Sequence, residues 1–276
     1  MAPPTDPNAL QQQLAAVERR LQAIEVAQRN AIVTITRQLE AFIQLHSLIG
    51  PVPGLLHGWP VSADFALHML QLLLAEPPEL VIEFGSGTST HLLLQGLALA
   101  FPQATGSAQG ARSAPQLLSF EHLADYHQRT TELIAPCRLH RHAQLLLAPL
   151  QPWSDPCRDA SGDHPYYSQL ERITAAASAL RRKRQRPLRR VLVIVDGPPG
   201  ATGPQARYPA LPALLQAIPA DPARPLQVTL LLDDMIRADE QATANAWQAL
   251  LAERGIPATR RDHPFEKGAM ELRFRL

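Results

Sequence analysis

The stretch Leu80-Val81-Ile82-Glu83-Phe84-Gly85-Ser86-Gly87-Thr88-Ser89-Thr90 constrains this chain more than any other part of it. An apolar run that ends in an acid and passes directly into Gly-x-Gly describes a buried strand opening into a tight turn and then a helix. The glycines let the backbone approach a ligand where a Cβ would collide, and the helix that follows presents unpaired N–H groups. Gly-x-Gly alone is a weak signal. It gains weight because three later apolar runs also end in acids: Leu117 to Phe120 at Glu121, Val191 to Val195 at Asp196, and Val228 to Leu232 at Asp233-Asp234. In an open α/β sheet ligands sit outside the carboxyl ends of the strands, so parallel neighbours would bring all four acidic ends to one crevice.

Apolar runs alternate with helix-period segments along residues 63 to 134, the signature of a parallel sheet with helices on both faces. The strands are expected at 80 to 84 and 117 to 121, and the helices at 63 to 74, about 89 to 100 and about 124 to 134. Ser62 is a candidate N-cap. Residues 256 to 262 and 270 to 276 read as a closing pair of strands. Segments 102 to 116 and 151 to 165 are rich in loop-forming residues, and the second is placed to cover the crevice. At 276 residues the length suits one main α/β domain with an appendage.

The appendage is residues 1 to 50, and the α/β domain is expected over 51 to 276. Residues 8 to 49 hold no Gly or Pro, and Leu10, Leu14, Val17, Leu21 and Ile24 recur at alternating four and three spacing. That is a helix with a coiled-coil-like seam, a possible route to a homo-oligomer. The pattern weakens at Gln28 and resumes, shifted, through Ile32, Ile35, Leu39, Phe42 and Leu45. Packing of the same face on its own domain explains it equally well.

A formal charge of +1, from 26 basic and 25 acidic residues, gives no bulk reason to bind nucleic acid or acidic membranes. The run Arg181 to Arg186 lacks interleaved aromatic residues and reads as a solvated helix end. Two cysteines, Cys137 and Cys157, make neither a disulfide framework nor a zinc pattern. With no signal-like start and no membrane-length apolar stretch, a cytoplasmic protein is expected.

Glu121 lies 34 residues beyond Gly87, further than the roughly 20 expected of a dinucleotide fold, and the loop at 102 to 116 accounts for the excess. A carboxylate there can accept hydrogen bonds from both ribose hydroxyls of a nucleoside, or simply cap the next helix. A nicotinamide cofactor uses similar features, but the third glycine of G-x-G-x-x-G, which serves a pyrophosphate, is replaced by Thr90. A ligand without a pyrophosphate fits better, which disfavours an NAD-dependent oxidoreductase.

Glu83-Phe84-Gly85-Ser86-Gly87, Glu121, the Asp196-Gly197-Pro198-Pro199 turn and Asp233-Asp234 resemble class I S-adenosylmethionine-dependent methyltransferases, over roughly residues 55 to 276. The resemblance implies a Rossmann-like, doubly wound, mostly parallel sheet and S-adenosyl-L-methionine as cofactor. It implies that Glu83, Gly85 and Gly87 border the methionine part and Glu121 holds the ribose, with Ser86, Ser89 and His122 completing the cofactor site. Gly58-Trp59-Pro60-Val61-Ser62-Ala63-Asp64 looks like a lead-in over the cofactor.

Asp196, Asp233 and Asp234 resemble the metal set of bacterial magnesium-dependent O-methyltransferases acting on catechols and natural-product sugars. A hard cation wants oxygen ligands and can lower the pKa of a bound hydroxyl. Ordinary turn and cap roles for these aspartates are the alternative. The chain departs from the catechol-type enzymes in having no lysine near Asp196. That leaves Asp196 itself, His164 and His263 as catalytic candidates. Arg207, Tyr208 and Arg237 are candidates for binding an anionic substrate from the crevice rim, with ordinary surface ion pairing as the alternative, and the acceptor is expected to be a small molecule such as a sugar or glycoside. His140 and His142 are expected on one face of a third strand, without a third ligand. A noncatalytic nucleoside-binding or assembly module on the same fold is the rival reading.

Overall fold

The computed structural model describes residues 7–52, 61–102, 114–154, 164–182 and 189–276. Residues 58 to 60 of the 58 to 64 lead-in, the core of the loop at 102 to 116, Cys157, the side chain of His164 and the basic run from Lys183 onward lie outside the described residues.

The elements run α1 (Pro7–Ile49), α2 (Ala63–Ala75), β1 (Leu80–Phe84), α3 (Thr88–Ala100), β2 (Gln116–Glu121), α4 (Ala124–Ile134) and β3 (Ala143–Leu147). Then come β4 (Leu150–Trp153), β5 (His164–Tyr167), α5 (Glu171–Arg182), β6 (Arg189–Val195), α6 (Ala210–Ala217), β7 (Leu226–Asp233), α7 (Ala238–Glu253), β8 (Ala258–His263) and β9 (Ala269–Arg275). Seven strands form one sheet in the order β3-β2-β1-β6-β7-β9-β8. β3, β2, β1, β6 and β7 are mutually parallel, and β9 joins β7 and β8 antiparallel. The chain winds outward from β1 to β3, returns to β6 on the other side, and so creates a switch point between β1 and β6. This is a Rossmann-like, doubly wound, mostly parallel sheet, with a long N-terminal helix.

Period-two alternation sorts the strand residues between two cores. Leu80, Ile82 and Phe84, with Val191, Val193 and Val195, face α5, α6 and α7. Val81, Leu117, Leu192 and Ile194 face α2 and α3. The closeness of α2 to α3 explains a glycine inside α3, since a Cβ on Gly96 would lie 2.5 Å from Leu70 and 2.6 Å from Leu73.

Three details differ from the sequence expectation. Ser62 does not cap α2 with its side chain. Its hydroxyl donates instead to Asp64, and Gln38 of α1 reaches across to accept from the Ala63 N–H at 2.9 Å. His140 and His142 do not share a strand face. They form a 3-10 turn ahead of β3, because the chain is still coiling out of α4 through the Cys137 to Ile134 and His142 to Leu139 backbone bonds. The ends of the presumed loop at 151 to 165 belong to an antiparallel pair, β4 with β5, in which Pro152 sits opposite Pro165. Prolines withhold ladder donors, which is why the sequence reads as loop there. Among the described residues no helix is long and apolar enough to cross a membrane.

Candidate functional site

The carboxyl ends of β1, β2, β6 and β7 converge on a cavity of about 770 Å3, a volume usual for small-molecule sites. Its floor is the turn after β1. Gly85 has φ 95° and packs so closely on the next loop that a Cβ would lie 3.0 Å from the Gly197 nitrogen. Gly87, at φ 145°, has nothing within 4 Å of its would-be Cβ, so a ligand can approach the backbone there. Ser86 and Ser89 line the same wall.

Glu83 does not line the cavity. It is fully buried on the α3 side of β1, where it accepts from Thr90 Oγ1 at 2.7 Å and from Ser119 Oγ at 2.6 Å. The β1–β2 register sets Ser119 directly beside it. Thr90 in turn accepts from the Gly87 N–H at 3.0 Å, so the residue that replaces the third glycine ties the turn, the helix start and the buried acid together. Burial raises the Glu83 pKa to about 7, against hydrogen bonds from Ser119, Ser89 and Thr90 that favour the carboxylate.

Glu121 borders the cavity at the end of β2. Its carboxylate accepts from the Ser86 N–H at 3.3 Å, Ser86 Oγ at 2.9 Å and the Leu123 N–H at 2.9 Å. His122 Nδ1 lies 3.2 Å from Glu121 Oε1, at ion-pair distance without hydrogen-bond alignment. Burial acts to raise the pKa of Glu121, but the His122, Leu123 and Ser86 contacts outweigh it and hold the group below its ordinary value. An ionised acceptor at the rim, beside the open glycine turn, suits a ligand bearing neighbouring hydroxyls.

The opposite wall is a charged knot. Asp196, Asp233 and Asp234 bring carboxylate oxygens within 4.8 Å of one another. Arg207 inserts its buried guanidinium among them, 2.8 Å from Asp234 and 3.2 Å from Asp196, and donates to the Asp233 carbonyl at 3.0 Å. Arg237 adds a second contact to Asp234 at 3.1 Å, and Glu240 lies 3.7 Å from each arginine. Asp234 holds φ 64°, a left-handed conformation that aspartate tolerates better than most side chains. Burial, against the attraction of Arg207, raises Asp196 to about 6. Burial together with Asp196 and Asp234 raises Asp233 to about 8, and both Asp233 carboxylate oxygens are buried without a well-formed hydrogen bond.

That donor set fits a hard divalent ion. Three carboxylates converge, Arg207 takes only one oxygen each from Asp196 and Asp234, and the Asp233 oxygens are left over. The two arginines already offset part of the negative charge.

Two of the other sequence candidates, Tyr208 and His263, fall elsewhere. Tyr208 is buried in the core, where its carbonyl accepts from Trp247 Nε1, because the turn that aims Arg207 inward directs the next residue under the sheet. His263 lies on the edge strand β8, two strands from β7, and pairs with Glu271 at 3.1 Å beside His68. It lines a separate pocket with Arg37, Asp64 and Phe265, so it cannot serve the crevice. His164 opens β5.

Sequence reasoning passed over Tyr126, Arg129 and Thr130, which face the cavity from α4, and Tyr167, which reaches it from β5. The α4 residues have the three and four spacing of one helix face, a signal that was present but carried no recognisable chemistry. Burial, then the charge of Glu121, drives the Tyr167 phenol well above its ordinary pKa, so it stays protonated and can act only as a donor or neutral acceptor.

No protein-family model matches the chain, and no curated protein sequence matches it. Solved structures that resemble it include cofactor-bound Rv0187 from MTB, 14% identical over 88% of each chain with a TM-score of 0.45. An O-methyltransferase from Bacillus cereus in complex with SAH is 13% identical, covers 87% of this chain and 90% of that one, and has a TM-score of 0.46. The O-methyltransferase TomG from Streptomyces achromogenes, involved in tomaymycin synthesis and bound to SAM, is 13% identical over 87% and 88%, with a TM-score of 0.45.

Proposed function

We propose that this protein is an S-adenosylmethionine-dependent methyltransferase that methylates a hydroxyl of a small molecule. The observation that carries the proposal is the pairing, across one cavity at the sheet's switch point, of an open glycine turn beside Glu121 with the acid Asp196. When bound, the cofactor supplies an electrophilic methyl on a sulfonium. Gly85, Ser86 and Gly87 would cradle its backbone-facing side, and Glu121 would accept from its ribose.

The chain's own contribution is alignment and proton removal. Asp196 faces the cavity with a pKa near 6, so at neutral pH it is ionised and able to take the acceptor's hydroxyl proton as the oxygen–carbon bond forms. Arg207 fixes Asp196 in place, and Asp234 and Arg237 complete the wall. Positioning accounts for much of the rate, since methyl transfer demands mainly collinear approach. A polar rim of Tyr126, Arg129, Arg237 and Glu240 suits a polyhydroxylated acceptor such as a sugar or glycoside.

The unpaired Asp233 oxygens favour a second form of the same reading. In it Asp196, Asp233 and Asp234 hold Mg2+, which would polarise the acceptor hydroxyl. Chelation separates the two: turnover that persists in excess EDTA leaves Asp196 as the base, and turnover restored only by magnesium assigns the ion.

Calorimetric titration of S-adenosylmethionine tests the cofactor itself. The expected result is micromolar affinity that Glu121→Ala weakens at least tenfold. Absence of heat with the wild-type chain, or an affinity indifferent to the substitution, would remove the proposal's foundation.

A further inference from the structure

The amino-terminal part of α1 carries large apolar side chains that no other described residue buries. Among the described residues the helix is docked at its carboxyl end, where Ala41 and Leu45 are buried on the domain and Gln38 accepts from the first turn of α2. Amino-terminal to that anchor, Leu10, Leu14, Val17, Leu21 and Ile24 are 64%, 60%, 54%, 55% and 45% exposed. An apolar stripe of this length in water needs a partner.

The helix numbering itself identifies that partner. With Leu14 and Leu21 at a, and Leu10, Val17 and Ile24 at d, the heptad register extends through a weak layer, Gln28 at a and Ala31 at d, to Ile35 at a, where the apolar stripe broadens to include Ile32 at e. The flanking charges then fall at fixed places. Arg20 is at g, and Glu18 and Glu25 are at e. In a parallel, in-register pair a g side chain meets the e side chain five residues further on in the neighbour, so Arg20 faces the partner's Glu25. In an antiparallel pair e meets e and g meets g, which leaves Arg20 without an acidic partner, since the g positions hold only Gln13, Arg20, Ala27 and Thr34. The chain's own sequence therefore complements a second copy of itself in one orientation only.

We propose that residues 10 to 35 of α1 form a parallel, in-register coiled coil between copies of this chain. In the two central heptads leucine at a, Leu14 and Leu21, accompanies β-branched residues at d, Val17 and Ile24, a pattern that favours three or four strands over two. Gln28 at a stacks on its own counterpart in each copy, and a lone polar a residue of this kind fixes register at some cost in stability. Because every copy is held at the same end of α1, the α/β domains gather at one end of the bundle.

Light scattering on the full chain is expected to give a mass of three or four times 30.3 kDa. The double substitution Leu14→Glu with Leu21→Glu is expected to reduce it to a single chain, with the thermal unfolding of the domain unchanged because both side chains are exposed. Orientation is read by Gln28→Cys in a Cys157→Ser background under mild oxidation, which should cross-link the copies while the parent background does not. A wild-type mass of one chain would overturn the proposal. So would association that survives the double substitution, or a Gln28→Cys chain that associates and fails to cross-link.

Discussion

Asp196, the base proposed above, is half-buried and half-neutralised, and its pKa near 6 leaves it mostly ionised at neutral pH yet basic enough for the proton transfer asked of it. Asp196→Asn keeps the shape and is expected to lower kcat about 10²- to 10⁴-fold with cofactor affinity unchanged. The wild-type rate should rise as pH passes about 6, and the residual rate of the variant should lack that limb. Glu83 shows the opposite use of burial. Its folded pKa of about 7 exceeds the ordinary 4.5, so the folded state holds its proton longer than the unfolded state. Stability therefore falls as pH rises from about 4.5 to 7 and is level above, a loss on the order of 3 kcal/mol. Glu83→Gln retains acceptors for Thr90 and Ser119 and should flatten that slope in denaturant titrations run across the window. Gly85→Ala introduces a Cβ at φ 95° and 3.0 Å from backbone. A loss of about 1–3 kcal/mol, with weakened cofactor binding, is the expected result.

Among elements, the junction of α2 with β8 and β9 rests on one carboxylate. Glu271 receives His68 at 3.0 Å and His263 at 3.1 Å on one oxygen, while Arg273 bonds the other and also reaches Glu76. These contacts, His68 foremost, hold the Glu271 pKa down to about 2. A depressed folded pKa contributes stability above the unfolded value and loses it as pH falls from about 4.5 toward 2. Glu271→Gln should cost on the order of 2 kcal/mol at pH 7, and the difference from wild type should shrink through that acid range. Cofactor affinity should stay constant, since this cluster lies away from the crevice. A chain beginning at Thr36 probes α1 in the same spirit. It keeps Gln38 and the buried Ala41 and Leu45, so it should fold and bind cofactor with wild-type affinity.

Across the whole molecule, local pattern and long-range assembly contributed different things. Strands, helices and the glycine turn were legible because each depends on neighbours a few residues away: period-two apolar runs, acids at strand ends, and prolines between segments. That sufficed to place Glu121, Asp196 and the Asp233-Asp234 pair around one crevice once the strands were taken as parallel neighbours. The same pattern could not say which way Glu83 points, since that follows from the odd and even register of β1 against β2. Nor could it show that Arg207 closes on the acids of two other strands, that Tyr167 reaches the cavity through a proline-bearing strand pair, or that His263 rests on an edge two strands away. Local sequence determined what the pieces are and which ends carry charge, whereas the strand order β3-β2-β1-β6-β7-β9-β8 decided which charges meet, because contacts between residues far apart in the chain exist only after the sheet has closed around them.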